Sequence, residues 1–151
     1  MSNNIDIYIA ELRLDHENPR ISTEDGQVNI RQALLDDQGS KIAELAADIA
    51  KFGLNPMDRM MVLQPSPKKK EYIALEGNRR TAALQILANP SLLEDMSIPD
   101  SLRSKLTDLA DDFDPKNVEP ISGVLMPDRE AARRWIELRH TGQNGGRGIV
   151  D

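Results

Sequence analysis

Residues 72–84 constrain the fold more than any other stretch of the chain. They begin with an apolar run that is typical of a short buried strand, pass through Glu76 and Gly77, and continue as an alanine- and leucine-rich run that is typical of a helix. Glycine at the junction permits a tight turn and a close approach of the backbone to a ligand. The segment therefore predicts a strand, a glycine turn and a helix that begins at about Arg79.

The residues of this turn are those of an oxyanion site. The first N–H groups of a helix have no partner within it, and together with the helix dipole they favour an anion. Arg79 and Arg80 add fixed charge and forked donors that suit phosphate or carboxylate oxygens. We therefore expect Gly77, Asn78, Arg79, Arg80 and Thr81 to bind phosphate. The structural alternative is an ordinary turn with two arginines in surface salt bridges.

The turn also resembles the motif of the ParB/sulfiredoxin superfamily, in which a strand is followed by Gly-x-Arg-Arg-x-x-Ala and a helix. Residues 77–83 match this pattern, with Asn78 where many partition proteins carry Glu. Residues 52–56 and the apolar residues 60–63 resemble the family's Gly-hydrophobic-x-x-Pro turn and strand. Residues 14–20 resemble its extended Asn-Pro segment. The resemblance implies an α+β, ParB/sulfiredoxin-like domain, with a small mixed β-sheet and surrounding helices.

The resemblance implies a ligand as well as a fold. Partition proteins of this class bind a nucleoside triphosphate with Mg, so it implies CTP or ATP as the ligand here. The loop formed by Gly53, Leu54, Asn55 and Pro56 resembles the one that lies against the base or sugar. A helix end and a strand entry explain Gly53 and Pro56 equally well, so both interpretations of this loop stay open.

A second-tier site is predicted near the end of the chain. Partition proteins use a Glu-Asn-x-x-Arg segment for phosphate and magnesium, which Glu137 and Arg139 resemble loosely, with Leu138 at the place of the Asn. The resemblance thus implies Glu137 as a Mg ligand. His140, with Thr141 beside it, could titrate near neutrality and act as an acid, a base or a phosphate donor. A lone histidine at a helix end is more often a surface cap for the last carbonyls.

Two other function classes remain open. Some relatives of this fold are nucleases or phosphotransferases, and an enzyme would need a carboxylate base, for which Glu76 and Glu137 are the candidates. The other alternative is a DNA- or partner-docking module without nucleotide. Sulfiredoxin chemistry requires a reactive cysteine, and this chain contains none.

Charge and composition limit the partners. The chain carries 25 acidic against 19 basic residues, a net charge of −6, whereas a domain that grips DNA usually has a basic excess. If DNA is bound, we expect a region outside this chain to bind it. No apolar run reaches the length of a membrane span and no signal pattern opens the chain, so we expect a cytoplasmic protein without membrane contact. A homodimer stays an open alternative.

Hydrophobic periodicity predicts the remaining elements. Strands are predicted at 5–9, 60–64, 71–75 and 118–126, helices at 28–37, 42–52, 79–88 and 128–139, and partial helix at 91–113. Gly39 should separate the first two helices. Ala131, Trp135 and Leu138 are predicted as the buried stripe of the last helix, and Met57 as core. Residues 1–142 are expected to form the domain, and 143–151 to begin a glycine-rich linker or a further C-terminal region.

Overall fold

The computed structural model describes residues 3–15 and 26–145, with side chains described as far as Leu138. It confirms the predicted α+β class, a five-stranded mixed β-sheet with helices around it. The strands are β1 (Asn4–Ile7), β2 (Leu12–Arg13), β3 (Met60–Leu63), β4 (Tyr72–Ala74) and β5 (Ile121–Leu125). The α-helices are α1 (Gly26–Phe52), α2 (Asn78–Ala88), α3 (Asp100–Asp111) and α4 (Arg129–Gly145). Short 3-10 helices span Ile9–Glu11, Pro90–Asp95 and Pro115–Asn117.

The strand order, β1-β5-β3-β4-β2, brings distant loops to one end of the sheet. β3 runs antiparallel to β4 and parallel to β5. Because β3 and β4 run in opposite directions, the loop that enters β3 and the turn that leaves β4 lie at the same end. The start of β5 lies there too, since β5 is parallel to β3. The topology thus places the loop of residues 53–59 beside the Gly77 turn.

The hydrophobic core lies on one face of the sheet. Alternation along β3 and β4 buries Met60, Val62, Tyr72 and Ala74, while the residues between them are half-buried. α2 is buried continuously from Thr81 to Leu87, because it lies against both α1 and α3. A helix buried on all sides is expected to be apolar all round, as most of α2 is.

The two helices predicted on either side of Gly39 form one element with a kink. Gln38 has non-helical φ and ψ angles of −134° and 25°. A Cβ atom at Gly39 would lie 2.9 Å from Cδ2 of Leu102 in α3, so glycine here allows the two helices to approach closely. The end of α1 is as predicted, since Gly53 has a φ of 78° and its N–H donates to the carbonyl of Ile49.

Several sequence-based expectations are wrong. Ile9 belongs to a 3-10 helix rather than to β1, and the two-residue strand β2 was not predicted. The predicted buried stripe of α4 is wrong, because Ala131 is half-buried and Trp135 and Leu138 are 55% and 53% exposed. Among the described side chains of α4, the buried one is that of Ala132. Met57 is 84% exposed rather than core. α4 lies beside the second, half-exposed face of the sheet and continues to Gly145, beyond its predicted end.

Candidate functional site

The turn between β4 and α2 has the conformation that its glycine predicts. Gly77 is the N-cap residue of α2, with φ 82° and ψ 35° in the left-handed region, and its carbonyl accepts a hydrogen bond from the Thr81 N–H at 2.8 Å. A Cβ atom at Gly77 would lie 3.4 Å from Nη1 of Arg80. The guanidinium of Arg80 therefore folds back over its own turn, so a cation lies at a helix N-terminus, where the dipole favours anions.

Arg80 lines a cleft together with part of the predicted base loop. Its Nη2 atom lies 3.7 Å from Oδ2 of Asp58, with the two side chains 27% and 39% exposed. The cleft is lined by Leu54, Asn55, Asp58, Met60, Arg80, Ile121 and Ser122. Its volume of about 10 Å³ corresponds to roughly one water molecule. A nucleotide at this place would therefore lie across the cleft rather than inside it.

The loop before β3 is closed by its own hydrogen bonds. The Oδ1 atom of Asn55 accepts from the N–H of Met57 at 2.9 Å, and the Asn55 carbonyl accepts from the N–H of Asp58 at 3.0 Å. Leu54 packs against the core, whereas Pro56 is exposed. This turn presents the Asp58 carboxylate to Arg80.

Asn78 uses its side chain to connect three elements. Its Oδ1 accepts from the N–H of Asp15 at 2.9 Å, and its Nδ2 donates to the carbonyl of Ala74 at 3.0 Å. Asp15, 8% exposed, in turn accepts two hydrogen bonds from Arg129 in the first turn of α4, both at 3.0 Å. The amide of Asn78 thus joins the end of β2 to the start of α2, and Asp15 joins both to α4.

The other residues of the predicted phosphate turn point elsewhere. Arg79 is exposed and donates to Oε1 of Gln38, at the kink of α1, over 3.3 Å. Thr81 is fully buried, with its hydroxyl 4.0 Å from the sulfur of Met60. Of the five predicted residues, Arg80 is the one that lines the cleft, and Gly77 lies beneath its guanidinium.

Of the predicted second-tier site, Glu137 does not lie at this cleft. Glu137 is exposed on α4 and lines a separate open depression with Asp128, Glu130, Ala131, Arg133 and Arg134. Glu76 is half-buried directly before Gly77. Arg139, His140 and Thr141 belong to α4, and their side chains lie outside the described part of the chain. Residues 16–20 of the Asn-Pro segment also lie outside it.

The protein groups present suit magnesium only as a companion of phosphate. In the part of the chain that the structure describes, no group of three or more His, Asp or Glu side chains could hold a metal ion. Mg²⁺ usually keeps several waters and is bound by one or two carboxylates plus substrate phosphates. Asp58 supplies one carboxylate beside Arg80, and an ion held mainly by the phosphates of a ligand would need no more than that from the protein.

Sequence reasoning missed three charged residues around the turn. Asp58 follows the predicted base loop directly and Asp15 lies within the Asn-Pro segment, so position along the chain could have indicated both. Arg129 carries no such signal, because its pairing with Asp15 spans 114 positions. Arg31 was missed as well, because the sequence pattern does not distinguish an arginine that folding buries from one that stays on the surface.

Arg31 is a buried cation in the helical layer. It is 4% exposed, and its Nη2 donates to Oε1 of Gln85 at 3.0 Å. Gln85 in turn donates to the carbonyl of Leu12 at 3.1 Å. Within the part of the chain that the structure describes, Nε of Arg31 has no hydrogen-bond partner. Burial lowers the pKa of Arg31 from its ordinary value.

An apolar cleft lies on the second face of the sheet. It measures about 550 Å³ and is lined by Asn3, Met57, Arg59, Met61, Val124, Met126, Pro127, Ala131 and Trp135. The Trp135 ring is exposed, and the guanidinium of Arg134 lies 5.8 Å from its centroid. This cleft is separate from the one at Arg80, with which it shares no lining residue.

Comparisons of the chain with models of known protein families, with curated proteins and with solved structures found no match. The resemblance to the ParB/sulfiredoxin superfamily therefore rests on the sequence motifs alone. Within residues 3–15 and 26–145, no helix has both the length and the apolar character needed to cross a membrane.

Proposed function

We propose that this chain is a nucleotide-binding domain of the ParB/sulfiredoxin class, with the phosphates of CTP or ATP held at the turn from Gly77 to Arg80. One observation carries the proposal. The guanidinium of Arg80 folds over the left-handed Gly77 turn, in a cleft that Leu54 and Asn55 of the predicted base loop also line. Two segments singled out by the motif are thus neighbours in the fold.

The geometry also supports a particular manner of binding. Phosphate oxygens would accept from the guanidinium of Arg80 and from the first N–H groups of α2. Because the cleft is small, the sugar and base would lie on its surface, against the loop of residues 53–56. Such a domain would act as a nucleotide-dependent switch in a DNA-associated protein.

The enzymatic alternative receives less support. A nuclease or phosphotransferase needs a carboxylate base within reach of the phosphates. Glu137 lines a different depression from Arg80, which leaves Glu76 as the candidate base. Glu76→Ala separates the two proposals, because it should abolish any turnover by an enzyme while leaving nucleotide binding largely intact.

Calorimetric titration with CTP, ATP and GTP in the presence of Mg²⁺ tests the proposal. Arg80→Ala should weaken binding about tenfold or more, since it removes a charge-assisted contact. Arg79→Ala is the matched control, because it removes the same charge from the same turn but from a side chain that points to α1. We expect it to weaken binding by only a few-fold.

Two outcomes would contradict the proposal. If no triphosphate binds the wild-type chain, the Gly77 turn is structural or holds a different anion. If Arg79→Ala and Arg80→Ala weaken binding equally, the affinity for the triphosphate depends on the net charge of the turn and not on the position of Arg80 in the cleft.

A further inference from the structure

The loop before β3 fixes a carboxylate beside the proposed phosphate-binding cation. Asn55 holds the turn through its side chain and its carbonyl, and this turn sets Asp58 at 3.7 Å from Arg80. Asp58 is 39% exposed, so the carboxylate faces both the guanidinium and solvent. The pair partly neutralises the cation that the ligand needs.

A phosphate bound to Arg80 would meet this carboxylate at close range. Two negative charges about 4 Å apart repel each other substantially, even where solvent screens them. A free polyphosphate must therefore overcome this repulsion and also compete with Asp58 for Arg80. A divalent cation between the carboxylate and the phosphate would turn the repulsion into attraction.

We propose that Asp58 makes the site selective for a polyphosphate that carries a divalent cation, by acting as the protein ligand of that cation and releasing Arg80 to the phosphate. This inference rests on the proposed function and deepens it. Asn55 and Ser122 line the same cleft and offer neutral oxygens to water molecules of the ion. The cleft has space for about one water molecule, so the ion and most of its waters would lie at the mouth of the cleft, next to Asp58.

The assignment differs from what the sequence implied for magnesium. Glu137 was the residue expected from the family motif, but it lines a depression on α4 that shares no residue with the Arg80 cleft. Asp58 lies in direct ion-pair range of Arg80. The carboxylate that we assign to the cation therefore comes from the loop before β3.

The test uses inorganic tripolyphosphate, which has no base or sugar, together with CTP and ATP. Each is titrated by calorimetry with Mg²⁺ and, separately, with EDTA. We expect the wild-type chain to bind tripolyphosphate about tenfold more tightly with Mg²⁺. Asp58→Asn keeps the shape of the side chain and removes its charge, so it should abolish this ratio. Its binding should tighten in EDTA and weaken in Mg²⁺.

Asp48→Asn is the matched control, because Asp48 is an exposed aspartate on α1 and should retain the wild-type ratio. Circular dichroism of both variants verifies that they fold. Equal affinity of the wild type with Mg²⁺ and with EDTA, or an unchanged ratio in Asp58→Asn, would overturn the inference and leave the proposed function standing. Absence of binding under every condition would overturn both.

Discussion

At the scale of single residues, Gly77 matters because its backbone conformation is one that residues with side chains rarely adopt. Its φ of 82° is strained for any residue with a Cβ atom. Gly77→Ala should therefore lower the free energy of unfolding by about 1 kcal/mol. The new Cβ would also contact the guanidinium of Arg80 at 3.4 Å. Because relief of the backbone strain would shift the turn beneath this guanidinium, triphosphate binding should weaken in the same variant.

Gly26 provides a control for this prediction. It has a similar φ of 69°, but a Cβ atom there would have no neighbour within 4 Å among the described residues. Gly26→Ala should cost a similar stability in urea denaturation and leave binding unchanged. Equal binding losses in both variants would mean that backbone strain, and not the position of Arg80, governs the affinity.

Arg31 shows a different effect at the same scale, the burial of a charge. Its pKa is lowered by burial, so folding disfavours the charged form, and stability rises with pH only between the lowered pKa and the ordinary one. At neutral pH the penalty is constant. Arg31→Met removes it but also leaves Oε1 of Gln85 without its donor. Because the two effects oppose each other, the free energy of unfolding should change by less than about 1 kcal/mol.

Arg103 is the matched control for Arg31→Met. It is an arginine of α3 that donates to the carbonyls of Leu93 and Met96. Arg103→Met should lower the free energy of unfolding by about 1–3 kcal/mol, because it leaves these acceptors unpaired. A comparable loss in Arg31→Met would show that a partner compensates the charge of Arg31.

At the scale of elements, Asn78 fixes the start of α2. Its amide bonds to Ala74 and Asp15, so Asn78→Ala should lower the free energy of unfolding by about 1–3 kcal/mol. Asn89, at the other end of α2, is exposed and bonds only to Ser91 through its side chain among the described residues. Asn89→Ala should therefore cost less than Asn78→Ala in chemical denaturation. The reverse order would refute the role of Asn78 as a connector.

The same elements show how far sequence reasoning extends. Local patterns predicted β3, β4, α2 and the glycine turn, because apolar alternation, helical spacing and glycine act over a few residues. β2 was missed because two residues carry no periodicity. The sequence predicted two separate helices where the structure has one helix with a kink at Gln38. A glycine such as Gly39 can mark either the end of a helix or a close contact between helices, and the sequence alone does not distinguish the two.

The candidate site was predictable only in part for a related reason. Gly77 and Arg80 were found from their local motif. The pairing of Arg80 with Asp58, and of Asp15 with Arg129 and Asn78, depends on strand order, which the sequence pattern did not determine. Thr81 and Asn78 have polar side chains that the motif assigned to a ligand, and the fold uses them for packing and for connecting elements.

At the scale of the whole molecule, the sheet has two unequal faces. α1, α2 and α3 cover one face and enclose the core, whereas α4 leaves the second face half-exposed. The helical spacing of apolar residues in α4 predicted a buried stripe, because such spacing indicates that the helix has an apolar face. It does not report whether another element covers that face. The exposed Trp135 and Leu138 are the result.

This asymmetry predicts which large apolar side chains stabilise the fold. Trp135 is 55% exposed, and the aliphatic stem of Lys can cover part of the same surface, so Trp135→Lys should lower the free energy of unfolding by only about 1–2 kcal/mol. Leu106 in α3 is fully buried, and Leu106→Ala should cost about 2–5 kcal/mol because it leaves a cavity. Urea denaturation followed by circular dichroism compares the two without depending on the single tryptophan. A large loss in Trp135→Lys would mean that the second face is covered in solution, and sedimentation equilibrium would then identify whether a second copy covers it.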